Sequence, residues 1–460
     1  MKPPLLDKEK IEKRIECYSE EYQIEIVTPM FGGGVTAGVV DETMPIRATA
    51  IRGHLRFWWR MLYGKDKQAD ELFNAESDIW GDTKKKSKVE ILIKAVDNYK
   101  EYQRNLTDDP VNQNNERYKK KNSKGKLVDA EGKFGFENDS PELYILFSTI
   151  TNDKKINKYL LKEGFKFILR LSFSNSLSDD NKEVVRDAMR AWVCFGGIGS
   201  RTRKGCGALK FVSNENDKDF VKKIIEKSQH KKEIIDLLER INCQGFCGNA
   251  TVDSSKYPQP AKICAWSRSI EIYKEFRQGA CFARTKEYGR SHWSEADSIR
   301  ELSNCALPKH KDPLKETKDL IPCFPRSIMG LPIIIHFKDS PQSSPIPNKE
   351  PMDFTITPKY ENKNYERMAS PIITKPIFIE GKWYPFVLIL PYQHALDMEI
   401  NVKGKGIEKS IEKSYGKESI HSEKLKKLKP LKNQENAIAA FILYINQKNY
   451  HLLKQKENKK

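Results

Sequence analysis

At 460 residues the chain is too long for one domain of ordinary size, and we expect two or three domains. Its 81 lysines and arginines against 63 acids give a formal charge of +18, which favours a polyanionic partner, although a lysine-rich surface kept for solubility would give the same sum. No run approaches the roughly 18 apolar residues of a membrane span, and the start lacks a secretory leader, so we expect a cytoplasmic protein without membrane contact.

The first predicted domain covers residues 1–244 and opens with a strand. Alternating apolar residues predict that strand at 22–27, and the glycine-rich stretch MFGGGVTAG after it predicts a loop. Further strands are predicted at residues 88–96, 143–150, 165–173 and 208–212. Residues 97–140 are polar and poor in aliphatic side chains, which indicates an exposed insertion.

Two helices are predicted between these strands. One begins after Thr49, and the other covers residues 180–195, with Asp180 and Glu183 spaced as a capping box. Strands interleaved with two helices predict an α+β fold of the ferredoxin-like (RRM-like) kind, with helices on one face of an antiparallel sheet. The other face of the sheet would be free to bind.

The second predicted domain covers residues 245–460. Its predicted strands are 263–276, 331–337, 372–379 and 385–390, the last two joined by a turn at Glu380 and Gly381. Helices are predicted at 293–302, with Ser294 as N-cap, and near the C-terminus at 437–445. Residues 339–364 are predicted to form a loop and the lysine-rich residues 403–432 an exposed segment.

The helix after Thr49 carries an unusual set of cations. Successive residues of a helix turn by about 100°, so Arg52, Arg56 and Arg60 form one stripe. No acid lies near them in the sequence, and like charges at one-turn spacing repel. We therefore expect an anionic partner on this stripe, unless each arginine meets an acid elsewhere in the fold.

Three other side chains of this helix are apolar or titratable. Trp58 and Trp59 are expected to anchor the helix to the sheet, because burial is the commoner use of tryptophan. His54 lies among the arginines, where a neutral imidazole could bond a phosphate or a 2′-hydroxyl, or act as a general base in RNA cleavage.

A second cluster, GGIGSRTRKGCG, covers residues 196–207. Its glycines allow close backbone approach to a ligand, and Arg201, Arg203 and Lys204 add three cations. The segment lacks the G-K-[ST] ending and the following helix of a P-loop. A glycine-rich hairpin without a ligand remains the alternative.

Two of these stretches, at residues 43–60 and 195–211, resemble the paired signatures of the RAMP superfamily of CRISPR effector proteins. The early TPMFGGG and three later stretches, GRSHWSEADSIRELS, FPRSIMGLPIIIHFK and RMASPIITKPI, narrow the resemblance to subunit one of the type III-B (Cmr) complex. The resemblance implies two ferredoxin-like modules in a non-catalytic subunit. Its partners would be crRNA, target RNA and other RAMP subunits, and the subunit itself would lie near the 3′ end of the crRNA.

The resemblance also implies which residues contact RNA. The stripe and His54 would line a groove, with the late cationic loop opposite them, the early glycines near guide and target, and one arginine as the second module's counterpart of the first basic turn. These positions are Arg47, Arg52, His54, Arg56, Arg60, Gly32, Gly33, Gly34, Gly197, Gly199, Ser200, Arg201, Arg203, Lys204 and Arg326.

Two enzymatic alternatives stay open at this point. A guide-RNA-processing endoribonuclease of the same superfamily would use His54 as its base. A metal nuclease would need clustered carboxylates, for which Asp41-Glu42 and Asp179-Asp180 are the acidic pairs considered. Nine irregularly spaced cysteines, with an isolated Cys243 and Cys247, predict neither disulfides nor a zinc site, so no cofactor is expected.

Overall fold

The computed structural model describes most of the chain, in twelve ranges. They are residues 18–35, 38–41, 43–95, 97–105, 119–121, 127–129, 141–146, 159–251, 260–285, 290–338, 340–341 and 343–454. Much of the predicted insertion at 97–140 and the end of the predicted strand at 143–150 lie outside the described residues.

The described residues form both strands and helices along the whole chain. The strands are β1 (Tyr18–Ile26), β2 (Val89–Ala95), β3 (Gln103–Asn105), β4 (Lys119–Lys121), β5 (Leu127–Asp129), β6 (Tyr159–Leu161), β7 (Lys166–Phe173), β8 (Leu209–Val212), β9 (Gln244–Cys247), β10 (Ile333–Ile335), β11 (Phe354–Tyr360), β12 (Lys363–Asn364), β13 (Ile372–Ile379), β14 (Lys382–Ile389), β15 (Glu399–Lys405), β16 (Ser410–Tyr415) and β17 (His451–Leu452). The helices are α1 (Ala48–Tyr63), α2 (Ala69–Trp80), α3 (Pro141–Leu146), α4 (Asp179–Phe195), α5 (Asp219–Gln229), α6 (Lys231–Ile241), α7 (Ala261–Gln278), α8 (Glu295–Ser303), α9 (Gln393–Leu396) and α10 (Ala437–Gln447).

The first sheet has the strand order β2-β7-β1-β8, and its strands pair antiparallel. Alternate side chains of β1 and β7 are buried, as expected for strands with one covered face. Along the chain its main elements follow the order β1, α1, β2, β7, α4, β8, which is the strand–helix–strand–strand–helix–strand order of a ferredoxin-like fold.

Helices α1 and α4 supply the apolar layer of this fold. Trp58 and Trp59 are each 2% exposed, and the Trp58 ring lies 5.9 Å from the Phe195 ring of α4. The interpretation of both tryptophans as core residues is confirmed.

A second sheet repeats the first arrangement. Its order is β13-β14-β9-β17, drawn from the chain order β9, α7, β13, β14, α10, β17. Numbered within each set, the strands of both sheets lie in the order 2-3-1-4. The predicted α+β fold with two ferredoxin-like arrangements in tandem is thus confirmed, and the second begins at Gln244, beside the predicted boundary.

Contacts divide the chain somewhat differently, into two compact units. The first takes its described residues from Met1–Ile270, Thr374–Leu388 and Leu452–Lys460. The second takes them from Glu271–Ile373 and Ile389–His451. Because the two divisions of the chain disagree, the division at residues 244 and 245 stays a prediction.

The second unit contains an antiparallel sheet of its own, β10-β11-β15-β16, with β12 paired to β11. Near it, Asp297 accepts hydrogen bonds from Arg290 and Arg300, each at 2.9 Å, and Arg300 also pairs with Glu350 at 2.8 Å. Both carboxylates are buried, so these ion pairs satisfy charges that the interior could not otherwise hold.

Two predicted strands are wrong. Residues 141–146 form α3, and residues 261–278 form α7. In α7 the buried residues Ile263, Trp266, Ile270 and Tyr273 recur at spacings of three and four, which is the period of a helix. This periodicity outweighs the β-branched and aromatic composition that favoured a strand.

Two other segments are more structured than predicted. The predicted loop at 339–364 contains β11 and β12, and the lysine-rich segment at 403–432 contains β16. The buried apolar residues of that segment are Ile420, Leu425, Leu428 and Leu431. Lysines between them remain exposed, which is why the composition alone suggested a wholly exposed stretch.

Helix starts also differ in detail from the prediction. α1 begins at Ala48 with Arg47 in the N-cap position, so Thr49 lies inside the helix. α4 is capped by Ser178, whose hydroxyl accepts a hydrogen bond from the Asn181 amide, and not by the predicted capping box. The predicted hairpin turn at Glu380 and Gly381 and the C-terminal helix are confirmed.

Candidate nucleic-acid interface

Two glycine-rich loops of the first unit pack side by side. We call residues 28–34 the early loop and residues 196–207 the late loop. The Ser200 amide donates to the Phe31 carbonyl at 2.6 Å, and the Gly207 amide donates to the Pro29 carbonyl at 3.0 Å. The early loop, which follows β1, therefore packs directly against the late loop, which precedes β8.

Glycine is required where these loops meet. A Cβ atom on Gly32 would lie 2.6 Å from the Ser200 hydroxyl oxygen, and one on Gly199 would lie 2.7 Å from Met30 Cγ. A Cβ on Gly33 would lie 3.2 Å from the Gly199 Cα. All three glycines also have positive φ, a backbone conformation that other residues rarely adopt. The glycine runs are therefore explained first by the packing of the loops on each other.

Side chains from neighbouring elements bond the backbone of the late loop. Trp192 Nε1 donates to the Gly197 carbonyl at 3.0 Å, and Trp266 Nε1 donates to the Lys204 carbonyl at 2.9 Å. The Thr28 hydroxyl donates to the Gly205 carbonyl at 2.5 Å and accepts from the Ala208 amide at 2.9 Å. These bonds make the loop an ordered element, with its cationic tip between two bonded ends.

The late-loop cations lie at a short 3₁₀ turn, Thr202–Lys204. Arg201 precedes it in the left-handed conformation, with φ of 58°, and its side chain is exposed. The Arg203 guanidinium lies over the Phe57 ring of α1, 5.6 Å from its centre. Partial burial lowers the pKa of Arg201 and of Arg203, but a guanidinium remains charged at any physiological pH.

His54 lies on the same flank of α1 as Phe57. Its ring stacks on Trp192 with centroids 6.1 Å apart and planes inclined by 14°. Burial lowers the pKa of His54 below its usual range, so the imidazole is neutral near pH 7. The Trp192 side chain therefore connects this flank of α1 with the late loop.

The arginine stripe has a counter-charge within the fold, as the second of the two alternatives for it required. Glu76 of α2 accepts hydrogen bonds from Arg56 Nε at 2.5 Å and from Arg60 Nε and Nη2 at 2.8 and 2.7 Å. Burial by itself would raise the pKa of Glu76, but the bonds from Arg60 and Arg56 outweigh it and lower the pKa. The alternative in which the stripe arginines meet an acid elsewhere in the fold therefore holds for Arg56 and Arg60, because α2 brings Glu76 from 16 residues beyond Arg60.

Arg52 is also engaged within the chain. Its Nη1 donates to the Trp80 carbonyl and its Nη2 to the Val89 carbonyl, both at 3.2 Å, so it joins the end of α2 to the start of β2. Arg52 and His54 are two residues apart, about 200° around the helix, and so lie on opposite flanks of α1. The structure brings His54 to the late loop and ties the three stripe arginines to α2 and β2.

The remaining predicted positions have separate surroundings. The Gly34 amide donates to the Val39 carbonyl at 2.9 Å, which bonds the end of the early loop to the chain that follows it. Arg47 is the half-buried N-cap of α1. Arg326 lies in the second unit, where its backbone amide donates to buried Glu295 at 2.8 Å and its Nε lies 3.2 Å from the same carboxylate.

Phe57 and Trp192 also belong to this site, although neither was predicted as a site residue from the sequence. A helical projection of α1 puts Phe57 beside His54, so its place on that flank was predictable. The role of Trp192 was not, because its contacts with His54 and Gly197 depend on how α4 packs.

The acidic pairs considered for metal binding have local roles. Asp41 Oδ1 accepts from the Thr43 and Met44 amides, and Asp179 pairs with Lys182 in the first turn of α4. Glu42 lies outside the described residues. Within the ranges that the structure describes, no three His, Cys, Asp or Glu side chains are grouped to hold a metal, and no helix is long and apolar enough to cross a bilayer.

Comparisons with known proteins found a family model and several solved structures that resemble parts or most of the chain. Residues 23–210 match the RAMP superfamily model. Among solved structures, the chain is similar to Cmr1 from Pyrococcus furiosus in its apo form, at 13% identity over 95% of this chain and 98% of that one, with a TM-score of 0.43. It is also similar to a chain of the type III-B Cmr-beta complex bound to cognate target RNA, at 13% identity, 91% and 99% coverage and a TM-score of 0.42. No curated protein sequence matches the chain.

The region that matches the superfamily model contains the whole site. It includes the early loop, α1 with both flanks, α4 and the late loop, and it ends at Lys210 in β8. The match to the RAMP superfamily model therefore covers residues 23–210 and not the remainder of the chain.

Proposed function

We propose that the chain is a non-catalytic RNA-binding subunit of a type III-B CRISPR (Cmr) ribonucleoprotein. It would contact crRNA and target RNA near the 3′ end of the crRNA, beside other RAMP subunits, and help capture target RNA. One observation carries the proposal: within the RAMP region, two glycine-rich loops pack together and present a cationic turn next to α1.

The chemistry of this surface suits a ribose-phosphate backbone. The partly exposed guanidinium of Arg201 offers paired donors to phosphate oxygens. RNA-guided complexes hold their guide mainly through its backbone and shape while base pairing reads the sequence. A surface that recognises the backbone and few base edges therefore fits this role.

The two flanks of α1 are expected to contribute unequally. The late-loop flank carries Arg201, Arg203 and Lys204 together with neutral His54. On the stripe flank, Arg56 and Arg60 share the single charge of Glu76, and their side chains are 34% and 47% exposed. Together these three residues keep a net charge of about +1, and Arg52, which bonds only carbonyls, raises that of the flank to about +2. This charge attracts RNA at a distance, but the bonds to α2 and β2 keep the stripe from forming the main contact.

The first test is a charge reversal in the late loop. Arg201→Glu with Arg203→Glu is expected to weaken binding of labelled single-stranded RNA by at least about tenfold and to flatten its salt dependence, because each lost phosphate contact lowers the slope by about 0.7. Fluorescence anisotropy over a salt series measures both. Unchanged affinity and slope would contradict the proposed site.

A matched control uses Lys84→Glu with Lys86→Glu. Both lysines are exposed in the turn between α2 and β2, and the change in net charge is the same. A general charge effect would weaken binding equally in both double variants, whereas a late-loop site weakens it mainly in the first.

RNA cleavage with His54 as the general base is the second candidate function. The imidazole is neutral, which is the protonation state that a general base requires, and it lies beside a cationic loop. Its stacked position on Trp192 holds the ring against α4. We expect no metal-independent cleavage of guide-precursor RNA. Accumulation of 2′,3′-cyclic phosphate ends that disappears with His54→Ala would replace the non-catalytic assignment.

A further inference from the structure

A lysine is buried beneath the late loop. Lys375 lies in the middle of β13 and is 1% exposed. Its Nζ donates to the Gly196 carbonyl at 2.8 Å and to the Val193 carbonyl at 3.2 Å. Burying an amine without a carboxylate partner is costly, so these two carbonyls form a site specific for this side chain.

Both carbonyls lie at the C-terminal end of α4. The last carbonyls of a helix have no intrahelical donor, and they form the negative end of the helix dipole. Lys375 satisfies two of them from another strand. Gly196 is also the first residue of the late loop, so the same bond fixes the direction in which the chain leaves α4.

Thr374, the residue before Lys375, lies against the other end of the late loop. A Cβ atom on Gly205 would lie 2.7 Å from the Thr374 carbonyl oxygen, and Gly205 has a φ of 76°. Adjacent positions of β13 therefore contact Gly196 and Gly205, between which the cationic tip lies. The stretch RMASPIITKPI, which the proposed function does not otherwise use, contains both of these positions.

We propose that Lys375 is a positioning residue that holds the late loop in its RNA-binding conformation by bonding the loop's first carbonyl. This inference rests on the proposed function for its consequence on RNA, but the bond itself is independent of RNA. Without the amine, the Gly196 carbonyl loses its donor and the Gly196-Gly197 pair is free to take other backbone conformations.

The experiment compares Lys375→Met with Ile377→Val. Met keeps the apolar stem and removes the donors, whereas Ile377 is a buried residue of the same strand without a bond to the loop. Native-state trypsin cleavage after Arg201, Arg203 and Lys204 reports loop order without RNA. We expect cleavage to accelerate by about tenfold or more in Lys375→Met and to stay unchanged in Ile377→Val.

Two further readouts separate positioning from general support. The indole N–H resonance of Trp192, which bonds Gly197, is expected to shift in Lys375→Met only. RNA affinity is expected to fall by about fivefold or more in that variant while the urea midpoint of unfolding matches that of Ile377→Val within error. A loss of affinity that merely follows global stability would overturn the positioning role.

The outcomes distinguish the two proposals. Faster loop cleavage in Lys375→Met, from a wild-type chain that binds no RNA, supports the bond and contradicts the proposed function. Unchanged loop cleavage overturns the inference whatever the RNA result. If Lys375→Met does not fold, Lys375→Gln replaces it, since a neutral amide costs less to bury but is too short to reach both carbonyls. Wild-type loop cleavage in that variant also overturns the inference.

Discussion

The two flanks of α1 hold their cations in different ways. On the stripe flank, Arg52, Arg56 and Arg60 are bonded to α2 and β2, and the acid that two of them share is buried. On the late-loop flank, Arg201 is exposed on a loop whose ends are bonded by carbonyl and indole contacts. Clustered cations in a sequence can thus be paired within the chain by an acid from a distant element, as Glu76 pairs with Arg56 and Arg60.

Gly199→Ala is expected to have the largest effect, because it tests the packing of the two loops directly. The new methyl would meet Met30 Cγ at 2.7 Å and the Phe31 carbonyl oxygen at 2.8 Å, and φ is 85°. We expect a loss of about 3 kcal/mol in the free energy of unfolding. Urea denaturation measures it.

Gly381→Ala is the control for this variant. Gly381 has a φ of 81°, but nothing lies within 4 Å of its Cβ position, so the variant isolates backbone strain at about 1 kcal/mol. Equal losses in both variants would mean that loop contact adds nothing, and the packing of early loop on late loop would lose its importance for the site.

Glu76→Gln is the second prediction and tests the stripe flank. Removing the charge leaves Arg56 and Arg60 unpaired, and because both are partly exposed we expect a loss of about 2 kcal/mol in stability. RNA affinity should stay within about twofold, since the stripe is not the main contact. Asp78→Asn, on an exposed acid of the same helix, is the control and should change neither quantity.

A marked gain in RNA affinity in Glu76→Gln would break the comparison. It would mean that Glu76 normally competes with RNA for the two arginines and that the stripe is a regulated part of the interface. Filter binding and anisotropy at two salt concentrations would distinguish this from a diffuse charge effect, which salt screens.

The sequence predicted local order better than distant contacts. The alternation in β1 and β7 and the apolar faces of α1 and α4 gave the first ferredoxin-like arrangement, and the turn at Glu380 and Gly381 gave the β13–β14 hairpin. Each of these signals lies within a few residues. The helix α7 was mistaken for a strand because its β-branched and aromatic content outweighed its period of three to four.

The site was predictable only in part for the same reason. The glycine runs identified both loops, but their contact depends on the sheet order β7-β1-β8. Glu76 and Lys375 left no signal near the residues they bond, because α2 and β13 meet them only in the folded chain. Charges that cancel between distant elements cannot be recognised from spacing alone.

The pH dependence of stability is the third prediction, and it places the effects of Lys375 and Glu76 in different pH windows. Burial lowers the pKa of Lys375 to about 7, from 10.5. Above pH 7 the unfolded chain binds the proton that the folded chain has lost, so stability rises with pH up to about 10.5, by at most about 1.4 kcal/mol per unit. Wild type minus Lys375→Met should show this slope between pH 7 and 8.5, and a flat difference would contradict it.

Glu76 acts at the acidic end. Its lowered pKa means that its contribution is complete above its unfolded value of 4.5 and is lost as the pH falls through the lower folded value. The difference between wild type and Glu76→Gln should therefore shrink below pH 4.5. Burial raises the pKa of Cys194, which lies near Lys375, to about 11, so its thiol stays protonated in the folded chain between pH 7 and 8.5.

Gly53→Ala is expected to have the smallest effect. It tests the part of the α1 surface that lies between the stripe flank and the late-loop flank, which we call the ridge. Gly53 lies inside α1, is exposed, and has nothing within 4 Å of its Cβ position. Alanine should stabilise the helix by about 0.5 to 1 kcal/mol, measured as a higher urea midpoint. Asn74→Ala is the matched control, because it raises helix propensity at an exposed position of α2 that lies away from the ridge.

RNA affinity in Gly53→Ala then locates the path of the RNA over α1. If contact is confined to the late loop and the His54 flank, the methyl lies outside it and affinity is retained while stability rises. A loss of affinity in a chain that is more stable than wild type cannot come from misfolding. It would require that RNA crosses the ridge close to the helix backbone, and the interface would then extend from the late loop toward Arg56 and Arg60.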